Sequence, residues 1–193
     1  MSICAIIPAA GKGTRLKSET PKIFSKIYKE KTILDILYEK LEPHVDGVNL
    51  VLSSTVEKNF GHLIKGKKIH ISNQDHPVGM GDAIFQGYSF WKRYQYVLVI
   101  WGDQVHVSEE TIKRVLSFIN SGKENHLIIP LTRQEFPYVE YVFNENQTML
   151  QRVKQSREGD QCKQGGLSDI GVFCLSTKNI KRYISIKICK FYI

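Results

Sequence analysis

The sequence predicts an α/β protein built on a mostly parallel sheet with helices on both faces. Short apolar runs rich in β-branched residues, Ile3 to Ala10, 96-YVLVIWGDQV-105 and 170-IGVFCL-175, read as buried strands. Segments with apolar residues at helical spacing alternate with them, which is the pattern of strand–helix–strand units. Two of the strands then break into glycine turns, Gly11-Lys12-Gly13-Thr14-Arg15 and Gly102-Asp103. In parallel sheets ligands gather outside the carboxyl ends of the strands, so these turns are expected to share one crevice.

The elements follow in order. After the first strand and its turn, Thr32 is placed to cap a helix over residues 33–41, with Asp35 three positions on as the capping-box acid. Ile33, Ile36, Leu37 and Leu41 give that helix its apolar face. Residues 48–54 and 68–72 read as strands, and Asp82 as the cap of a helix carrying Ile84, Gly87, Tyr88 and Trp91 on one side. The strand at 96–105 ends in Gly102-Asp103; Ser108 then caps a helix whose first turn holds Glu109 and Glu110, favourable against the helix dipole. Ile112, Val115, Leu116 and Ile119 form its inner stripe. Residues 127–131 read as a strand, 138–153 as a hairpin turning around Asn144 to Asn146, and 170–175 as a last strand.

Composition bounds the function. With 193 residues, 42% hydrophobic and 24% charged, the chain suits one domain with a substantial core. No apolar run approaches the roughly 20 residues of a membrane span, and no basic stretch precedes residues 3–10 as in a signal peptide, so a cytoplasmic protein without membrane contact is expected. The net charge of +8 favours an anionic partner. Lysine and arginine are dispersed and no nucleic-acid-binding motif is present, so nucleic acid is not the expected partner. The cysteines, Cys4, Cys162, Cys174 and Cys189, have no metal spacing, and Cys4 and Cys174 are expected as reduced core thiols. Residues 178–193 carry five basic residues and no acid, and form neither a clean helical nor a strand pattern. The chain is therefore expected to be a single domain, 1–193, that stops short of its C-terminal end, with oligomeric state open.

The chemistry concentrates at the strand ends. The Gly11–Arg15 turn lacks the spacing of a P-loop, and Leu16 stands where a dinucleotide fingerprint needs its third glycine. What it does offer is backbone N–H groups bared by Gly11 and Gly13, with Lys12, Arg15 and, beyond Pro21, Lys22 as cations for a phosphate chain. Asp103, at the end of a buried strand, suits Mg²⁺ beside phosphates, although taken alone the residue fits better as a turn aspartate accepting backbone hydrogen bonds. Gly79 and Gly81 precede a helix, and the amide of Gln74 can donate to and accept from a base edge.

These motifs together resemble the sugar-phosphate nucleotidyltransferase family, and most closely the uridylyltransferase domain of N-acetylglucosamine-1-phosphate uridylyltransferases. The opening Ala9-Ala10-Gly11-Lys12-Gly13-Thr14-Arg15-Leu16 matches the family's A-A-G-x-G-[ST]-R-[ML] loop, and Pro21-Lys22 its Pro-Lys pair. Gln74 to Ala83 aligns without a gap on Q-x-x-x-x-G-[TM]-G-x-A, and Gly102-Asp103 on the metal-binding Gly-Asp. The resemblance implies a Rossmann-like nucleotide-diphospho-sugar transferase fold. It implies transfer of a nucleotidyl group from a pyrimidine NTP, UTP before CTP, to a sugar 1-phosphate or similar phosphorylated acceptor, with Mg²⁺ as cofactor. On it, Arg15 and Lys22 are catalytic and Asp103 binds the metal. Ala9, Ala10, Gly11, Lys12, Gly13, Gln74, Gly79 and Gly81 bind the nucleotide. Glu140 and Asp169 fall at the acceptor positions, where Phe136–Glu140, Val153–Glu158 and Asp169–Gly171 depart from the family pattern, which implies a different acceptor. The family's second metal ligand lies later than residue 193. Two further readings stay open: a nucleotide-binding regulatory module without full catalysis, and a cytidylyltransferase with a non-sugar acceptor.

Overall fold

The computed structural model describes residues 1–11, 20–76, 78–119, 127–178 and 180. Lys12, Gly13 and Arg15 of the predicted site, Cys189, and most of the basic segment 178–193 lie outside the described residues. The chain forms two compact units, one comprising Met1–Ile128 and resuming at Phe173, the other Ile129–Val172.

The first unit opens with β1 (Ile3–Pro8), every residue of which is buried. A 3-10 turn, Lys22–Phe24, leads to a small hairpin of β2 (Lys26–Tyr28) and β3 (Lys31–Thr32), then to α1 (Ile33–Leu41). The predicted capping box is present: Thr32 Oγ1 accepts from Asp35 N at 3.1 Å, and Asp35 Oδ2 accepts from Thr32 N at 2.8 Å. There follow β4 (Gly47–Leu52), α2 (Ser54–Phe60), β5 (Ile69–Asn73), α3 (Met80–Gln86), α4 (Tyr88–Trp91), β6 (Tyr96–Ile100), α5 (Glu109–Ile119) and β7 (Leu127–Ile128). Between β7 and the last strand, the second unit supplies β8 (Leu131–Arg133), β9 (Val139–Phe143), β10 (Leu150–Gln155) and β11 (Leu167–Asp169). β12 (Val172–Ser176) then rejoins the first sheet.

That sheet has six strands in the order β5-β4-β1-β6-β12-β7. β4 and β6 pair with β1 in parallel, β5 pairs with β4 in parallel, and β7 pairs with β12 antiparallel. The chain winds outward from β1 to β4 and β5, then crosses back to place β6 on the other side of β1. The strand order therefore reverses between β1 and β6, the topological switch point at which open parallel sheets bind ligands. Successive strand residues point to opposite faces. Cys4, Ile6, Val51, Val97 and Val99 pack with Ala83, Phe90 and Trp91 of α3 and α4 on one face. Ala5, Ile7, Leu50, Leu98 and Ile100 point to the other and are fully buried there; α1 and α5 touch each other. Full burial of each such aliphatic side chain contributes about 1.5–3 kcal/mol, so burial on both faces holds these strands firmly.

Three expectations shift. The strand read at 96–105 ends at Ile100, since Trp101 to Gln104 forms a turn, with Gln104 N donating to Trp101 O at 3.0 Å. The run 127–131 is split into β7 and β8 around Pro130, which has no N–H to continue a ladder. Asp82 does not cap its helix; the cap is Gly79, at φ 135°, a conformation that side chains rarely adopt. In the second unit, β9 and β10 form the predicted antiparallel hairpin, and Asn144 Oδ1 accepts from the backbone N–H of Thr148 and Met149 at 2.8 and 3.0 Å. β8 and β11 make a second antiparallel pair beside it.

Candidate functional site

The carboxyl ends of β5, β4, β1 and β6 lie side by side, and each predicted motif of the first unit hangs from one of them. Beyond β1, Ala9 N donates to Val51 O at 2.8 Å, extending the ladder with β4 by one residue. Ala10 is buried and Gly11 exposed, with nothing within 4 Å of the place where a Cβ would stand. The backbone there is bare, so a ligand can approach it closely. Beyond β5, Gln74 N donates to Leu52 O at 2.8 Å, so that the two last residues of β4 hold both the start of the glycine turn and Gln74.

Gln74 is buried, and both hydrogens of its amide are engaged: Nε2 donates to Gly79 O at 3.1 Å and to Asp82 Oδ2 at 2.6 Å. The side chain ties the glycine pair to the strand end, and its oxygen is left to act as an acceptor alone. Asp82, read from sequence as a cap, is its partner. The eight-residue separation spans a strand end and a helix start, and no local pattern announces it.

Beyond β6, Gly102 packs so closely against the end of β1 that an added Cβ would lie 3.1 Å from Pro8 O, 3.4 Å from Ala9 Cβ and 3.4 Å from Ile23 Cδ1. Asp103 follows and meets Lys22, whose Nζ donates to Asp103 Oδ2 at 2.9 Å across 81 positions of sequence. Lys22 starts the 3-10 turn after Pro21, and the next two residues, Ile23 and Phe24, are 2% and 3% exposed. Those two buried side chains anchor the turn and aim the lysine. The pair itself is nearly half exposed, at 46% and 43%, and in such surroundings an ion pair contributes only about 0–1 kcal/mol. Both partners can therefore exchange one another for a stronger ligand at little cost.

Among the described residues no group of three or more His, Cys, Asp or Glu side chains could hold a metal ion. One half-exposed carboxylate at a strand end does fit Mg²⁺ that arrives with phosphates, because that ion takes one or two protein carboxylates and fills its other positions with phosphate and water oxygens.

Glu140 and Asp169, expected at the acceptor, belong to the second unit and are both buried with internal partners. Glu140 Oε2 accepts from Lys163 N at 2.9 Å and lies 3.2 Å from Lys154 Nζ. Burial alone would raise the Glu140 carboxyl, but these donors and the lysine charge outweigh it and hold it below the usual range. Asp169 Oδ1 accepts from Gly171 N at 2.9 Å, and Gly171 takes a left-handed φ of 71°. Tyr141, partly buried and facing Asp169, has its hydroxyl pushed up to about 12. Cys4 and Cys174 are the predicted core thiols, each pushed up to about 12 by burial. No helix among the described residues is long and apolar enough to cross a membrane.

Comparison with known proteins gives these features a family. The model of the MobA-like NTP transferase domain matches residues 5–167. The bifunctional protein GlmU of Clostridium botulinum (strain 657 / Type Ba4) is 29% identical over 156 residues, covering 80% of this chain and 34% of the relative. The chain thus spans about a third of the length of that curated relative. Among solved structures, HddC from Yersinia pseudotuberculosis superposes with a TM-score of 0.70 at 26% identity, over 93% of this chain and 79% of that one; it is also solved with GMP-PN. A CMP:2-keto-3-deoxy-manno-octonic acid synthetase complexed with CTP shares the fold, with a TM-score of 0.69 at 16% identity, over 96% of this chain and 78% of that one.

Proposed function

The chain belongs to the MobA-like NTP transferase domain family, and from that premise we propose that it transfers a nucleoside monophosphate from a pyrimidine nucleoside triphosphate, UTP before CTP, to a sugar 1-phosphate or similar phosphorylated acceptor. An acceptor phosphate oxygen attacks the α-phosphorus in line, and the bond to pyrophosphate breaks. The observation that carries the reading is the meeting of Lys22 and Asp103 at the switch point of the sheet. It brings a cation and a carboxylate from distant parts of the chain beside a bare glycine backbone. Transfer of this kind depends on positioning and on charge stabilisation more than on covalent chemistry.

In this reading the N–H groups following Ala9 and Ala10 cradle the phosphates, together with Gly11, Lys12 and Gly13. Lys22 leaves Asp103 and turns to the negative charge that grows on the α-phosphoryl group and the departing pyrophosphate, a role assigned to Arg15 as well. Asp103, once released, would hold Mg²⁺, which would supply neutralising charge beside the phosphates. Gln74 presents its oxygen to a base donor, the N3–H of uracil or the amino group of cytosine, on the floor made by Gly79 and Gly81. Glu140 and Asp169 serve the acceptor by fixing the shape of their own unit. HddC, solved with GMP-PN, gives a reason to include a purine donor as the second reading.

The test is calorimetric titration with UTP, CTP, ATP and GTP, each with and without Mg²⁺, followed by pyrophosphate release with a panel of sugar 1-phosphates. Mg²⁺-strengthened binding of one pyrimidine nucleotide is expected. Preference for GTP would move the donor to the second reading, and binding of none of the four would refute the proposal.

A further inference from the structure

We propose that Lys40 is a positioning residue of this site: it holds the loop that carries Asp103 against α1, and so sets the distance between Asp103 and Lys22. The inference rests on the nucleotidyl-transfer reading above for its functional meaning, though not for its geometry. Lys40 lies in the last turn of α1 and is partly buried. Its Nζ donates to two backbone carbonyls, Val105 O at 2.6 Å and Val107 O at 2.8 Å. These stand two and four residues beyond Asp103, in a segment that folds as successive turns, with Gln104 N donating to Trp101 O and Val107 N to Gln104 O. Neither carbonyl belongs to a helix or strand, so the ammonium supplies a partner that regular structure does not. A lysine near a helix C-terminus is also favoured there by the helix dipole.

The other end of the same helix holds Lys22. Ile33 N, the first residue of α1, donates to Ser25 O at 3.1 Å, and the turn Lys22–Phe24 packs against α1. Past the loop, His44 Nε2 lies 2.9 Å from Glu109 Oε1 and ties the chain after α1 to the start of α5. α1 is thus a bar with the Lys22 turn docked at its beginning and the Asp103 loop at its end. Lys40 acts through the loop.

The test uses the full chain as Lys40→Met, which keeps the stem and removes the donor, and as Lys40→Arg, which restores a cation able to reach both carbonyls. Hydrogen exchange is read at the amides of Gln104 and Val107, and half-saturating Mg²⁺ is read in UTP binding and turnover. In Lys40→Met we expect exchange at those two amides to rise at least tenfold while β1 and β4 stay protected. We expect half-saturating Mg²⁺ to rise several-fold and kcat to fall about tenfold, since misplacement on the order of 1 Å can cost as much as 100-fold. Lys40→Arg should recover most of both. Unchanged protection at Gln104 and Val107 would overturn the proposal, as would lost protection with an unchanged Mg²⁺ dependence. If the unaltered protein binds no nucleotide, the functional reading has failed, and the exchange result still decides whether Lys40 holds the loop.

Discussion

Gly102→Ala perturbs the one place where the ends of β1 and β6 meet without a side chain between them. The added methyl would stand 3.1 Å from Pro8 O, about 0.3 Å inside the 3.4 Å at which ordinary contact begins, and at 3.4 Å from Ala9 Cβ and Ile23 Cδ1. Ile23 can turn its Cδ1 aside, but Pro8 O is backbone at the end of a fully buried strand. The two strand ends must therefore separate by a few tenths of an ångström. Overpacking of this size costs about 1 kcal/mol, the low end of the usual 1–3 kcal/mol, which for a chain of this length lowers Tm by roughly 2–4 °C. The functional effect should exceed the thermal one, because the shift separates Asp103 from the backbone at Ala9 to Gly11. Pyrophosphate release is expected to fall about tenfold at saturating Mg²⁺. Thermal denaturation beside a coupled pyrophosphate assay reads both. A variant with unaltered Tm and turnover would refute the claim that this close approach sets the site.

Gly11→Ala makes the opposite case: nothing lies within 4 Å of its added Cβ, so Tm should stay within a degree, while calorimetry should show nucleotide binding weakened by the methyl set between backbone and phosphate. Asp103→Ala should abolish Mg²⁺-dependent turnover and Lys22→Ala should lower kcat by orders of magnitude, each with little change in Tm because their exposed pair is worth about 0–1 kcal/mol. Thiol reagents at pH 8 should label Cys4 and Cys174 only after denaturation. Both thiols rise from 9.0 to about 12 in the fold, so the stability they lend as neutral groups is complete below pH 9 and is lost as pH climbs toward 12. A Tm–pH profile that shows no decline across that window would contradict this.

The parallel core was legible because strands buried on both faces leave continuous apolar runs, and the capping box of Thr32 and Asp35 because it is a local pattern; the strand order that creates the switch point was not. α2 left no such trace: none of the residues of Ser54–Phe60 is buried, so no apolar stripe marks it, and only the Ser53 cap, accepting from Val56 N at 3.3 Å, announces its start. The unit Ile129–Val172 leaves a weaker trace in the sequence, apart from its hairpin, for another reason. Its strands are short and its β10 is largely exposed, so it carries little of the periodicity that reveals a core. At the site, residue types and order pointed to the strand ends, but the partner of each side chain did not. The engagement of Gln74 with Asp82, and of Lys40 with Val105 and Val107, depends on which loops the sheet brings together.

The segment Ile129–Val172 leaves the first sheet and returns to it through two strands that are neighbours, with Ile128 paired to Cys174 and Leu127 to Leu175. Its entry and exit are therefore already fastened side by side, and lengthening or replacing what lies between them adds only the slowly growing entropy of a longer closed loop. The architecture works as a socket: one stretch of chain can be exchanged while β1, β4 and β6 keep their register. Chimaeras joined at Ile128 and Phe173 should therefore keep the pairing of β1, β4 and β6.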